Sequence, residues 1–219
     1  VIFKYDPASM RESLATNGYA HLRDVLSDEF VAYMKRLCEE STAGAEAESR
    51  EWHIAGKKRQ FVFDFPSEEA AEEFRRGMAR LTGMEEDLFT ISERHLKVYD
   101  AHAEPFPAPH KDRSASQYSI GLPVHVPSGS TVCVFPDLDA GENQEDHAVF
   151  MTDDGDEIAR IYESDAALML NEKPGDLVVF LGSARWHERV RGAGTAVLYI
   201  KVNDIGVDPL GEDLFAAAR

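Results

Sequence analysis

The stretch Ala108-Pro109-His110-Lys111-Asp112-Arg113 is the point from which the rest of the chain can be read. Its backbone is expected to be extended, and side chains two residues apart on a strand point to the same face. His110 and Asp112 can therefore share one metal ion. Downstream, Lys173-Pro174-Gly175-Asp176-Leu177-Val178-Val179-Phe180-Leu181 predicts a turn feeding a buried apolar strand. Arg185-Trp186-His187-Glu188-Arg189-Val190 follows shortly after and offers a third ligand, His187. Taken alone, a His-x-Asp is a weak signal. Here Pro105, Pro107 and Pro109 mark an irregular entry just before it, and His187 follows a turn and a buried strand. The strand Thr195 to Val202 follows a Gly-rich hairpin and is expected to pair back beside His187.

Working outward, strand-like segments fill the chain after about Glu93. They are Leu96 to Tyr99, Ser116 to Val126, Thr131 to Phe135, Ala148 to Met151, Ile158 to Tyr162, Ala167 to Leu170, Asp176 to Phe180 and Thr195 to Val202. Turn residues separate them, as at Pro127-Ser128-Gly129 and Gly192-Ala193-Gly194. Short strands at this spacing predict a β-sandwich or jelly roll.

Before Glu93 the texture is mainly helical. Ser9 is expected to cap a helix over 9 to 17, with Glu12 completing a capping box. Tyr19 to Leu26 alternates like a strand. Ser27 caps a helix from about Asp28 to Glu40, and Ser41 to Arg50 is expected to be loop. Arg59 to Phe65 contains a strand, Ser67 starts a helix to about Thr82, and Gly83 stops it. A short helix is expected from Glu85 to about Thr90. A single domain over 1–219 results, with helices and strands mixed over residues 1–92, a jelly-roll core over 93–204 and a tail over 205–219.

The 219 residues suffice for one substantial core, and 43% hydrophobic content is ordinary for a globular protein. The net charge of −17 argues against nucleic acid and anionic membranes as partners. No apolar run approaches the ~20 residues of a membrane span. No signal-peptide pattern occupies Val1 to Arg11, so a cytoplasmic address is expected. The two cysteines, Cys38 and Cys133, form no disulfide framework and no zinc spacing.

Two histidines and one carboxylate with open positions are the ligand set of non-haem Fe(II) oxygenases. The pattern as a whole resembles the Fe(II)/2-oxoglutarate-dependent dioxygenases, and more loosely their phytanoyl-CoA hydroxylase-like branch. The resemblance runs from about Tyr19 to Asn203. It rests on His110-x-Asp112 and on Pro174-Gly175-Asp176 followed by Val178, Phe180, His187 and Val190. Asn17 to Glu29 resembles the family's entry strand and helix. The resemblance implies a mostly β fold, a double-stranded β-helix (cupin-like) buttressed by N-terminal helices. It also implies iron held by His110, Asp112 and His187, with 2-oxoglutarate and O₂ as cosubstrates.

One departure stands out. The family usually carries an Arg or Lys just past the hairpin glycine, to hold the far carboxylate of 2-oxoglutarate. Here Thr195, Ala196 and Val197 occupy those positions. Lys201 shares a strand face with Val197 and Tyr199 and is the leading replacement. Arg191 and Arg189 in the hairpin are further candidates, and Tyr118 is a possible hydrogen-bond donor. Arg113, Gln117, Trp186 and Arg59 are the substrate-side candidates. Of Gln117/Ser119 and Tyr118/Ile120, one face lines the cavity. His53, His95, His102, His125 and His147 are expected at the surface or satisfied.

The implied reaction is hydroxylation of a small molecule, such as an amino acid or natural-product intermediate. Related halogenases replace the carboxylate ligand by a small residue, so Asp112 points away from halogenation. Loops 41–58 and 137–157 are expected to cover the site. Their acids Asp137, Asp139, Glu142 and Glu145 would suit an amine-bearing substrate. The rival reading is a cupin-type metal- or ligand-binding protein without redox turnover. A zinc hydrolase fits less well, because no dedicated general base stands near the three ligands. A monomer or homodimer is expected.

Overall fold

The computed structural model describes residues 1–44 and 58–209. Two antiparallel sheets face one another. The larger contains β1 (Tyr19–Leu22), β2 (Lys58–Val62), β3 (Thr90–Tyr99), β5 (Tyr118–His125), β9 (Leu177–Phe180) and β11 (Ala196–Asn203). The smaller contains β4 (His110–Lys111), β6 (Thr131–Val134), β7 (Val149–Phe150), β8 (Leu168–Met169) and β10 (His187–Val190). The strand orders are β1-β9-β5-β11-β3-β2 and β7-β4-β10-β6-β8. This is the jelly-roll class that the strand spacing predicts.

Strict alternation sorts the central strands between two cores. On β11, Leu198, Ile200 and Val202 face outward to the helices, while Val197 and Tyr199 face the space between the sheets. Helices α1 (Arg11–Asn17), α2 (Asp28–Gly44) and α3 (Glu68–Thr82) belong to the outer layer. Phe30 and Met34 of α2 and Phe74, Met78 and Leu81 of α3 close the core over Leu96, Leu122 and Leu198. Each such side chain, fully buried, contributes roughly 1.5–3 kcal/mol. A third small cluster backs the smaller sheet: Cys133, Phe135 and Val190 with Phe106, Ile161, Tyr162 and Trp186.

Ser67 caps α3 by accepting from the Ala70 amide at 3.2 Å, and Gly83 ends it in the left-handed region at φ 80°. Both match the sequence reading. Other expectations are corrected. Asp6, not Ser9, is the first cap: it accepts from Ala8 and opens a 3₁₀ turn, Pro7–Met10, ahead of α1. Ser41 to Gly44 continue α2 rather than forming a loop, and 45–50 lie outside the described residues. The Glu85 to Thr90 helix shrinks to one 3₁₀ turn, Glu86–Leu88, because β3 already starts at Thr90.

Ile158 to Tyr162 is helical, within α4 (Gly155–Glu163). Asp154 accepts from the amides of both Asp156 and Glu157 and so nucleates it, and Ile161 and Tyr162 turn onto the small third cluster. A short run with apolar residues is ambiguous between strand and helix, and the cap decided it. Finally, β11 does not pair beside His187. It pairs with β3 and β5 in the larger sheet, whereas β10 pairs with β4 and β6. The Gly-rich hairpin therefore crosses from one sheet to the other.

Candidate metal centre

His110 and His187 are direct cross-strand partners on β4 and β10, so their side chains share a face. Asp112 follows β4 and is pinned through both of its backbone polar groups. Its N–H donates to the Gly182 carbonyl at 2.8 Å, and its own carbonyl accepts from Asn143 Nδ2 at 2.9 Å. The three ligand atoms lie within 4.8 Å of one another. Among the described residues this is the one group of three or more such ligands. His110 Nε2 stands 3.5 Å from Asp112 Oδ1, and His187 Nε2 stands 3.5 Å from Oδ2. Bonds of about 2.0–2.2 Å at right angles put neighbouring ligands about 3 Å apart, about 0.5 Å closer than these two contacts.

The remaining ring nitrogens are spoken for. His187 Nδ1 lies 2.9 Å from the Arg185 carbonyl, which can only accept. The proton is thus on Nδ1 and the Nε2 lone pair is left for a metal. His110 Nδ1 is 3.1 Å from Glu188 Oε2, an equivalent anchor. Phe180 packs against the His187 ring at 4.4 Å between centroids. Ser119 Oγ donates to Asp112 Oδ2, and Lys201 Nζ donates to Oδ1 at 2.6 Å.

The electrostatics follow from burial opposed by these neighbours. Burial works to raise the Asp112 pKa, but Lys201 and the two imidazoles hold it well below the ordinary carboxylate range. Burial works to lower His110, but Glu188 and Asp112 lift it to about 8. His187 is pushed down to about 4, first by burial and then by His110 beside it. A metal bound here would displace the His110 proton, because imidazole ligands bind in the neutral form. The donor set of two neutral-capable imidazoles and one carboxylate, with each outer nitrogen anchored, fits a divalent transition metal with free positions.

The cavity containing this triad is lined on its other walls by Lys97, Tyr99, Arg189, Tyr199 and Lys201. The alternation that placed Lys201 with Val197 and Tyr199 holds: Lys201 points inward, and Val197 is buried on the same face. Several other candidates are placed elsewhere. Tyr118 reaches the Thr82 carbonyl at 3.4 Å and, with Gln117, lines a second cavity against the end of α3. The inward face of β5 is that of Ser119. Arg191 sits in the exposed hairpin with its guanidinium 5.2 Å from the Phe106 ring centroid.

Arg113 pairs with Asp208, and the Gln117 side chain accepts from the Asp204 amide at 3.1 Å, so both hold the segment after β11. Trp186 belongs to the small third cluster, with Lys111 Nζ 4.7 Å from its ring centroid. Arg59 pairs with Val98 on the helix-facing side of its sheet; its neighbour Gln60 pairs with inward-facing Lys97. Of the four loop acids, Asp139 binds Lys111 and Glu142 lines the second cavity; none lines the cavity of the triad. His53, within loop 41–58, lies outside the described residues. His95 faces Glu93 at 3.4 Å.

Sequence reasoning missed Glu188 and Asn143, and left Ser119 on one of two open faces of its strand. Glu188 adjoins a ligand and was visible. Asn143 lies in a polar loop with no pattern, and only the fold brings it to Asp112.

No family model matches the chain, and no curated protein matches it in sequence. Solved structures do match in shape. The non-haem, α-ketoglutarate-dependent carbocyclase SnoK from nogalamycin biosynthesis superposes with a TM-score of 0.64 at 17% identity, over 94% of each chain. A prolyl-4-hydroxylase from Pseudomonas putida gives 0.55 at 16%, covering 90% of this chain and 98% of that one. EctD from S. alaskensis, solved with 2-oxoglutarate and 5-hydroxyectoine, gives 0.56 at 15%, over 99% and 86%. With its two facing sheets and buttressing helices, the chain thus has the double-stranded β-helix fold of the Fe(II)/2-oxoglutarate-dependent oxygenases.

Proposed function

We propose that the protein is a non-haem Fe(II)- and 2-oxoglutarate-dependent oxygenase acting on a small molecule, with hydroxylation as the leading outcome. The observation that carries this is the convergence of His110, Asp112 and His187 at one end of a cavity inside this fold. The chemistry supplied at such a centre is oxidative decarboxylation of 2-oxoglutarate by O₂, giving succinate and CO₂, coupled to oxidation of a substrate C–H bond.

The chain's own residues prepare that chemistry. Glu188 and the Arg185 carbonyl aim the two Nε2 atoms, and Ser119 and Lys201 aim the carboxylate. Lys201 is placed level with the metal ligands, so we assign it to the metal-bound end of the cosubstrate. Phe150 stands on the exposed side of the site, 62% accessible, with its ring centroid 5.7 Å from that of His110. An exposed aromatic beside a reaction centre is a natural platform for the substrate.

The neighbouring structures include a carbocyclase and an epimerase, so the outcome on the substrate follows from its pose rather than from the triad. The test is anaerobic addition of Fe(II) and 2-oxoglutarate, followed by air. A weak visible absorption band, then succinate, is expected from the wild type and not from His187→Ala. Metal binding with no succinate under any substrate panel would favour the cupin-type binder.

A further inference from the structure

We propose that Arg189, with the hydroxyl of Tyr199 and with Tyr99 beside it, is the receptor for the far carboxylate of the dicarboxylate cosubstrate. The inference rests on the oxygenase reading above. It places the anchor on β10, the strand of the distal histidine, instead of on β11.

Depth comes first. His187 and Arg189 are two apart on β10, so they face the same cavity about 6–7 Å apart along the strand. That is the reach of a five-carbon diacid whose other end sits at the triad. On β11 the residue that meets Arg189 is Tyr199, and Val197, the next residue on that face, is fully buried and apolar. Both Arg189 and Tyr199 line the triad's cavity.

Preparation comes second. Arg189 is 2% exposed. One of its terminal nitrogens donates to Glu172 and to the Tyr199 hydroxyl at 3.4 Å, and the other to Ser130 Oγ at 3.1 Å. Glu172 is itself locked, accepting from the Val132 amide at 3.1 Å and from Thr131 Oγ1 at 3.2 Å. The guanidinium is therefore held in one orientation before any ligand arrives. Among the described residues its buried Nε–H has no hydrogen-bond acceptor. Because Tyr199 accepts from Arg189, its own proton remains to be donated. An oriented guanidinium with a phenol beside it matches a carboxylate in geometry, and its charge is shared between Glu172 and the ligand.

Of the other two cations of the cavity, Lys201 lies beside Asp112, whereas Lys97 stands opposite Val197 in the register of β3 with β11 and reaches back to Glu93. Lys201 Nζ lies 2.6 Å from Asp112 and 3.8 Å from Glu93, and Lys97 Nζ lies 3.1 Å from Glu93.

Binding, rather than turnover, tests this. Wild-type protein loaded with Mn(II) is titrated by calorimetry with 2-oxoglutarate and with 2-oxopentanoate, which keeps the 2-oxo acid head and lacks the far carboxylate. The wild type should prefer 2-oxoglutarate by about tenfold or more. Tyr199→Phe should narrow the gap with little change in thermal stability. Arg189→Met, combined with Glu172→Gln so that no buried carboxylate is stranded, should abolish the gap and leave 2-oxopentanoate affinity unchanged. Arg189→Lys should keep some of it. A gap that survives in the double variant, or that disappears instead in Lys97→Met, overturns the assignment. Failure of the wild type to bind Mn(II), or either oxo acid, overturns the oxygenase reading and this inference with it.

Discussion

Gly182 lies so close to Asp112 that a β-carbon added to it would sit 2.7 Å from Asp112 Oδ2. The same carbon would meet Ser119 Oγ at 2.6 Å and the Ser116 carbonyl oxygen at 2.8 Å. The Ser116 contact is backbone and cannot swing away, so the Gly182 segment or the ligand must move. The Gly182 carbonyl also holds the Asp112 amide. Gly182→Ala is therefore expected to weaken Mn(II) binding by about 10–100-fold, as disturbance of a ligand's outer partner does, while the protein still unfolds cooperatively. Calorimetric titration with the metal, beside a melting curve, separates the two effects.

Glu188→Gln removes the carboxylate that anchors His110 through Nδ1. Its effect on the metal should be read at pH 9, above the His110 pKa of about 8, so that proton competition is small in both proteins. About a 10–100-fold loss in metal affinity is expected there. Equal affinities would mean that Glu188 does not orient the ligand.

Lys201→Met leaves Asp112, 2% exposed, without its nearest cation. Removing one partner of a buried pair costs about 3–5 kcal/mol, so the metal-free variant should melt well below the wild type. A divalent metal replaces the missing charge, and added Mn(II) should raise the melting temperature of the variant more than that of the wild type. A smaller rise in the variant would show that Lys201 is not balancing Asp112.

Asp176, of the Pro-Gly-Asp turn, accepts from the amides of Asp24 at 2.9 Å and Lys173 at 3.2 Å, and faces His21 Nε2 at 2.8 Å. Burial works to raise its pKa, but these hydrogen bonds hold it below the ordinary 3.8. A carboxylate lowered on folding contributes stability above its unfolded value and loses it as pH falls through the folded one. Asp176→Asn should thus be less stable at pH 7, by about 1–3 kcal/mol. It should also lose less stability than the wild type as pH drops below about 4. Urea denaturation at a series of pH values measures both.

Much of the fold was legible because β alternation is local. Val197, Tyr199 and Lys201 share a face by parity alone, and parity placed all three between the sheets. Ser67 and Gly83 bounded α3 because caps act within one turn. Ile158 to Tyr162 misread for the opposite reason: its apolar run is short, and the signal lay outside it, in Asp154. Arg59, Gln117 and Tyr118 were sensible polar candidates near the right strands. A shift of one residue in register decides which face each occupies, and pairing partners set that register.

The amino-acid order alone pointed to the candidate ligands, His110, Asp112 and His187, and to the run of short strands able to carry them. It also showed that the usual cation after the hairpin is missing. Only the tertiary structure decided that β10 and β11 lie in different sheets, with Arg189 and Lys201 at different depths of one cavity. It likewise decided that Gly182 and Asn143 hold the carboxylate ligand. The reason is that periodicity fixes a side chain's face within its own strand, whereas depth and company are set by strands that pair from far along the chain.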